Sequence, residues 1–442
     1  MNYEKIKSGA LALLVLISLA FTWGIWNYQP SYETIADGAD DIVKEVEIGQ
    51  QRKISELVKP SKIILHQGSD HYGTVSEQEL DWMMEEMANW TFFEPENVSS
   101  SFVNELEFSK LLSSDSHVEL FFSSSVPFNT IKTMFSFNDT IVPNAVFNRI
   151  VITEAEEENK AFVYFVSVQE RLVFRSQIET RSLKEFKDHY VEDAARLEPY
   201  ISHQVPQGSL LYVPKEPPVL TVQNYLSKQI DAETFKRALF NDPSYVRRGS
   251  RSGIDEYTDG SSFMRVNSST GTITYVNPAE TPQSMPLDQL IEKSINFVND
   301  HKGWVDDYRL FTAEPGLSNI GYRLFSGDFP VFDSQSMAEL SQIWGQDRIY
   351  QYERSSFIVQ LDKPLPPEES VELKSGQEAL NQVINLESID PLLLTDMRIG
   401  YEMTLEQDSR KILTLKPFWY YQYNGVWQKL VTDERRPVDG LE

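Results

Sequence analysis

An uncharged run near the N-terminus constrains this chain more than any other stretch. Ser8 to Trp26 contains no Asp, Glu, Lys or Arg, and Lys5 and Lys7 stand just before it. As a helix rising 1.5 Å per residue, such a run reaches ~28 Å, close to the thickness of a hydrocarbon layer. The pattern predicts a transmembrane helix over 8–27 behind a cytoplasmic tail at 1–7. Trp23, Trp26 and Tyr28 fit an interfacial aromatic belt, with Lys5 and Lys7 at the opposite interface. Ser18-Leu19-Ala20 loosely matches a small-x-small cleavage site, but apolar character continues through Phe21, Ile25 and Trp26, which favours an uncleaved anchor. No basic residue follows until Lys44, whereas Glu33, Asp37, Asp40 and Asp41 do. That asymmetry places the N-terminus in the cytoplasm and the bulk of the chain outside, as a single-pass protein of the cell membrane. Ser8, Ala12, Ala20 and Gly24 follow a four-residue spacing interrupted at Leu16, a small-residue face on which a partner helix could pack.

Composition narrows the function classes. The formal net charge of −26 disfavours nucleic acid and anionic headgroups as partners. The absence of cysteine excludes disulfides, thiolate zinc sites and cysteine nucleophiles. The 25 Phe, 20 Tyr and 8 Trp supply enough apolar surface for real cores, so disorder is excluded for the bulk of the chain.

The remainder reads as α+β, with mixed, mostly antiparallel sheets and packed helices in several domains. A stalk over 28–60 leads into an N-terminal α+β domain over 61–205, a middle domain over 206–285 and a C-terminal α+β domain over 286–442. Ser76 with Glu79, Ser182 with Glu185, and Ser375 with Glu378 match the capping box that opens a helix; Asp231 is an N-cap candidate. Asn424-Gly425 predicts a type I′ hairpin. A helix followed by Asp307-Tyr308-Arg309-Leu310 and a second strand recurs as a helix followed by Asp396-Met397-Arg398-Ile399 and a second strand, as in a divergent duplication. Phe418-Trp419-Tyr420-Tyr421-Gln422-Tyr423 puts aromatics on both faces of one strand, so both faces need cover, by default from this chain.

Catalytic signatures are missing. There is no G-x-S-x-G elbow, H-E-x-x-H helix, P-loop or dinucleotide fingerprint, and no cofactor is implied. His66, Asp70 and His71 form the one His/Asp cluster in a glycine-containing stretch, read as a loop between a strand and a helix. A metal or acid–base site there would need a third convergent ligand, and a turn in which Asp70 caps the backbone is the simpler reading. The acidic run 154–158 lacks the alternation of a calcium loop. No catalytic, cofactor or metal residue is assigned.

The order of several short segments is similar to the YycH family of Gram-positive bacteria. These are residues 19–30 (LAFTWGIWNYQP), Leu57-Val58-Lys59-Pro60, His71-Tyr72-Gly73-Thr74, residues 271–278 (GTITYVNP) and residues 303–310 (GWVDDYRL). The resemblance implies a non-enzymatic regulator with one membrane helix and an extracytoplasmic region. It implies association with a YycI-type one-span protein and a WalK/YycG-type sensor histidine kinase in cell-wall homeostasis signalling, and a YycI-like C-terminal half. The resulting expectation is modulation of that kinase through transmembrane helix contacts. A binding protein for a cell-wall-derived ligand held between domains is the alternative, and a cell-wall hydrolase a third.

Overall fold

The computed structural model describes residues 47–431, apart from 113–115, 140, 154–160, parts of 180–193, 206–209, 362, 367–368 and 407–410, together with Ile17 and Ser18. Ten strands build the N-terminal sheet: β1 (Pro60–Gln67), β2 (Asp70–Thr74), β3 (Thr91–Asn97), β4 (Ser116–Pro127), β5 (Ser136–Phe137), β6 (Val146–Thr153), β7 (Ala161–Ser167), β8 (Leu172–Ile178), β9 (Glu198–Gln204) and β10 (Leu210–Pro214). Their order is β10-β9-β2-β1-β4-β6-β7-β8-β3-β5.

Alternation decides which helix covers which face. Ile63, Leu65, Val118, Leu120, Ile150 and Ile152 share a core with Leu80, Met83 and Met87 of α1 (Glu77–Ala88). Val151, Tyr164, Val166 and Val173 point the other way and pack on Phe108, Leu111 and Leu112 of α2 (Glu105–Leu112).

A thirteen-stranded sheet occupies most of the C-terminal half. α4 (Leu287–Asp300), which follows α3 (Ala232–Leu239) in the chain, buries Leu290, Ile291, Ile295 and Val298 in a core shared with Tyr322 and Leu340. The Tyr308–Glu314 and Asn319–Ser326 strands then pair antiparallel. The same order recurs in α5 (Gly376–Ile384) followed by the antiparallel Leu394–Leu405 and Ile412–Tyr423 strands. The aromatic run lies on the latter strand. Trp419 and Tyr421 join Leu380 and Val383 of α5, while Phe418 and Tyr420 join Phe311, Phe325 and Phe332. Both faces are thus covered from within the chain. Asn424 and Gly425 adopt φ of 49° and 78°, as a type I′ turn requires.

Three expectations need correction. First, the chain is strand-dominated, and the N-terminal transmembrane helix is not borne out: among the described residues no helix is long and apolar enough to cross a membrane. The longest of the helices above, α4, has 14 residues and buries one stripe on a sheet. Apart from Ile17 and Ser18, the 8–27 segment lies outside the described residues. So do Ser8, Ala12, Ala20 and Gly24, and Lys5, Lys7, Trp23, Trp26 and Tyr28. Second, Ser76 makes no capping bond. The Glu77 N–H donates instead to Asp328 Oδ1 at 2.8 Å, and Glu79 accepts from the Tyr190 hydroxyl at 2.9 Å. The predicted capping box at Ser375 and the predicted N-cap at Asp231 hold, while Ser182 and Glu185 lie outside the described residues. Third, His66, Asp70 and His71 belong to a β-hairpin, not a loop, with His66 opposite His71.

Residues 47–53 are tied to the C-terminal half. Asn299 accepts from the Arg52 N–H, donates to the Arg52 carbonyl and accepts from Trp304 Nε1, each at 2.9 Å. Trp304 is fully buried and bridges Gln50. Trp304→Ala removes the largest side chain of this clamp. We expect it to lower the unfolding free energy by about 3–5 kcal/mol in urea titrations and to expose the 47–53 segment to limited proteolysis; an unchanged midpoint contradicts the clamp.

Candidate functional site

One face of the N-terminal sheet carries a buried polar stripe. The two-residue period sets Lys62, Ile64 and His66 of β1 on the same side. Register then places Lys62 opposite Phe121, Ile64 opposite Glu119 and His66 opposite His117 on β4. Arg149 of β6 stands opposite Phe121. Lys62, His66, His117 and Glu119 are all buried. Charges withdrawn from water this way require partners.

The partners come from two directions. Arg149 Nε lies 3.2 Å from Glu119. Lys62 Nζ lies 3.3 Å from Asp396 Oδ1, which belongs to the C-terminal half, and donates to the Tyr212 carbonyl at 3.4 Å. Arg398 pairs with Asp396 and donates to Ser123 Oγ at 3.0 Å. Burial depresses the Lys62 ammonium, and Asp396 partly restores it. Burial disfavours the charged Asp396 carboxylate, but Arg398 and Lys62 outweigh that and hold it well below the carboxylate range.

A second Asp-x-Arg pair repeats the arrangement. Arg309 donates to Asp307 at 2.6 Å and reaches Glu77 of α1 at 3.0 Å. Its guanidinium lies 4.3 Å from the Phe325 ring centroid, as that of Arg398 lies 4.6 Å from Trp427. Each helix–strand–strand block of the C-terminal half therefore presents an Asp-x-Arg pair to the N-terminal sheet, one at β1 and β4, the other at the start of α1. Asp328 adds the bond to the α1 N-terminus. Between these contacts lies a cavity of about 410 Å³, lined by Lys62, Ser76, Tyr212, Asp328, Phe329 and Arg398 among others.

The histidines sit at the hairpin end of the stripe. His66 Nδ1 and His71 Nδ1 are 3.0 Å apart, and the His66 ring stacks on His117 at 3.8 Å with planes 5° apart. His66 Nε2 is 3.8 Å from Glu119 Oε2. Burial, reinforced by the neighbouring imidazoles, pushes His66 far below the ordinary histidine range, so it is neutral. Glu119 is pushed up to about 7 by burial, against the pull of Arg149 and Lys62. Ligand atoms of His66, His117 and Glu119 lie within 4.8 Å of one another. A metal, however, must lie in the plane of each imidazole about 2 Å from its nitrogen, and two stacked rings cannot share such a point. The arrangement suits a packed polar core. Asp70 is exposed at the hairpin turn and takes no part in the stack.

Sequence reasoning found His66 and His71 but missed His117, Glu119, Arg149, Lys62 and Asp396. The signal was there: charged or imidazole residues spaced by two or four along apolar strands, as in Lys62-Ile63-Ile64-Leu65-His66 and His117-Val118-Glu119-Leu120, mark a buried polar face.

Comparisons with known proteins cover nearly the whole chain. Residues 4–194 match the family described as YycH protein, N-terminal domain, and residues 209–434 the family described as YycH protein, C-terminal domain. The expected YycI-like C-terminal half is corrected accordingly. The two-component system WalR/WalK regulatory protein YycH of Bacillus subtilis (strain 168) is 23% identical over 440 residues, covering 96% of each chain. The crystal structure of YycH from Bacillus subtilis superposes with a TM-score of 0.72 at 21% identity, covering 88% of this chain and all of that one, so the fold is shared.

Buried titratable groups in the stripe and in the C-terminal half set a pH dependence. A buried neutral histidine such as His301, lowered to about 3 by burial and Arg354, stabilises fully above pH ~6.5 and loses that contribution as pH falls. Glu119 acts oppositely: its raised value favours the folded state increasingly as pH falls from about 7 to 4.5. Glu119→Gln removes this offset. We expect its stability loss between pH 7 and 5 to exceed that of the wild type by about 1–3 kcal/mol in urea titrations; parallel pH profiles contradict the assignment.

Proposed function

The chain belongs to the YycH family, and from that premise we propose that it is a non-catalytic regulator of a WalR/WalK-type two-component system. It acts outside the cytoplasm on a WalK/YycG-type sensor kinase, together with a YycI-type partner. The observation that carries this reading is the match to the regulatory relative along 96% of both chains. The seam supports it physically. A regulator shifts a kinase equilibrium only if it binds one kinase state better than the other. The N-terminal sheet and α1, joined to the C-terminal half by ion pairs of the buried Lys62 and Arg309, present a surface that can be read in that way.

A second reading, the binding of a small ligand between the halves, is favoured by the 410 Å³ cavity at the seam. The two are compatible, since a ligand there would contact both sheets and bias their fit.

The test is a transcriptional reporter of the kinase's response regulator in a strain lacking this protein. We expect output to change at least roughly threefold, a coupling of about 0.6 kcal/mol or more, to return with the full chain, and the kinase to co-purify with it. Unchanged output together with absent co-purification contradicts the assignment.

A further inference from the structure

The C-terminal sheet ends on an open strand, Arg247–Arg251, at the edge of the strand order. Among the described residues it pairs only with Ile254–Thr258. All five of its residues are exposed. Natural edges are usually blunted by charged side chains, a proline, a bulge or a covering element. This strand contains no proline, and its register with Ile254–Thr258 runs without a shift.

Backbone geometry fixes what the edge offers. Ser252 and Gly253 form the two-residue turn, with φ of 54° and 79°. In such a hairpin the flanking pair, Arg251 and Ile254, exchanges both backbone bonds, as do Gly249 with Glu256 and Arg247 with Thr258. The N–H and C=O groups of Arg248 and Ser250 therefore point away from the sheet, free to pair with another strand. Arg247, Gly249 and Arg251 share one face. A Cβ built at Gly249 meets nothing within 4 Å, so the face between Arg247 and Arg251 is open.

Charge selects the partner. The chain carries −26 overall, yet Arg247–Arg251 holds three arginines and no acid. Arg248 is engaged by Asp255 at 2.8 Å, and Arg265 on the third strand by Glu256 at 2.7 Å. Arg247 and Arg251 have no such ion pair among the described residues, and they flank the open glycine. We propose that this edge is a docking strand for an extended acidic segment of a partner protein. The segment adds to the sheet through backbone bonds at Arg248 and Ser250, with carboxylates at alternate positions against Arg247 and Arg251. The opposite role, in which the arginines only keep other strands away, makes the contrary prediction.

The experiment is fluorescence anisotropy of the full chain with a labelled synthetic peptide of alternating Glu and Val, and with its Lys/Val counterpart. Saturable binding of the acidic peptide alone is expected. Arg247→Glu with Arg251→Glu should weaken it by roughly tenfold or more. Ser250→Pro removes an outward N–H without removing a ladder bond and should weaken it by roughly threefold or more. Circular dichroism checks that both variants fold, and the charge-reversed variant, altered only at exposed positions, decides the matter if the proline variant does not. No saturable binding by the wild type, equal binding of the Lys/Val peptide, or binding unchanged in the charge-reversed variant overturns the proposal. Binding unchanged in a folded Ser250→Pro variant overturns strand addition and leaves only general attraction of polyanions.

Discussion

Burying the Lys62 ammonium inside a sheet face is the constraint on which the rest of the architecture depends. Its own sheet offers it the Tyr212 carbonyl, the Phe121 ring and an electrostatic pull from Glu119, which Arg149 already pairs, while Arg149 adds like charge. The counterion, Asp396, comes from more than three hundred residues downstream, and its neighbour Arg398 binds Ser123 of the same N-terminal sheet. Removing one member of a buried pair typically costs about 3–5 kcal/mol, whereas an exposed pair contributes at most about 1 kcal/mol. Breaking a pair at the seam therefore costs more than breaking one on the surface. The seam pairs make the fit of the two halves conditional on specific charges.

The repeated helix–strand–strand unit explains why there are two such contacts. Each unit places an Asp-x-Arg pair near the start of its first strand, and each arginine rests on an aromatic ring. One pair meets the polar stripe at Lys62; the other meets Glu77 at the start of α1. Asp328 fills the capping role that Ser76 leaves open. Electrostatic contacts of this kind are specific in register and tunable by anything that enters the cavity beside them.

Much of the local structure was legible in the chain. Asn424-Gly425, the capping box at Ser375 and the aromatic alternation over 418–421 each carry their own geometry in a few consecutive residues. The Asp-x-Arg repeat was visible as a pattern, but its meaning was not, because each partner lies in the other half of the molecule. The Ser76 box failed for the same reason: a distant carboxylate competed for the helix N-terminus, and Glu79 was drawn to Tyr190 and Arg196. His66, Asp70 and His71 were singled out as one cluster in a loop, since glycines at 68 and 73 suggested one; the two histidines do meet, on paired strands, and Asp70 stays outside. Gly68 does turn the chain, at φ of 60°, whereas Gly73 sits in a strand where Ile64 and Tyr200 leave no room for a side chain.

The central claim is that Lys62 and Asp396 couple the two halves. A double-mutant cycle with Lys62→Met and Asp396→Leu, followed by urea unfolding of the full chain, tests it most directly. The account predicts two destabilised single variants and a double variant less destabilised than their sum, with a coupling energy of at least about 1.5 kcal/mol. Additivity within about 0.5 kcal/mol would contradict it.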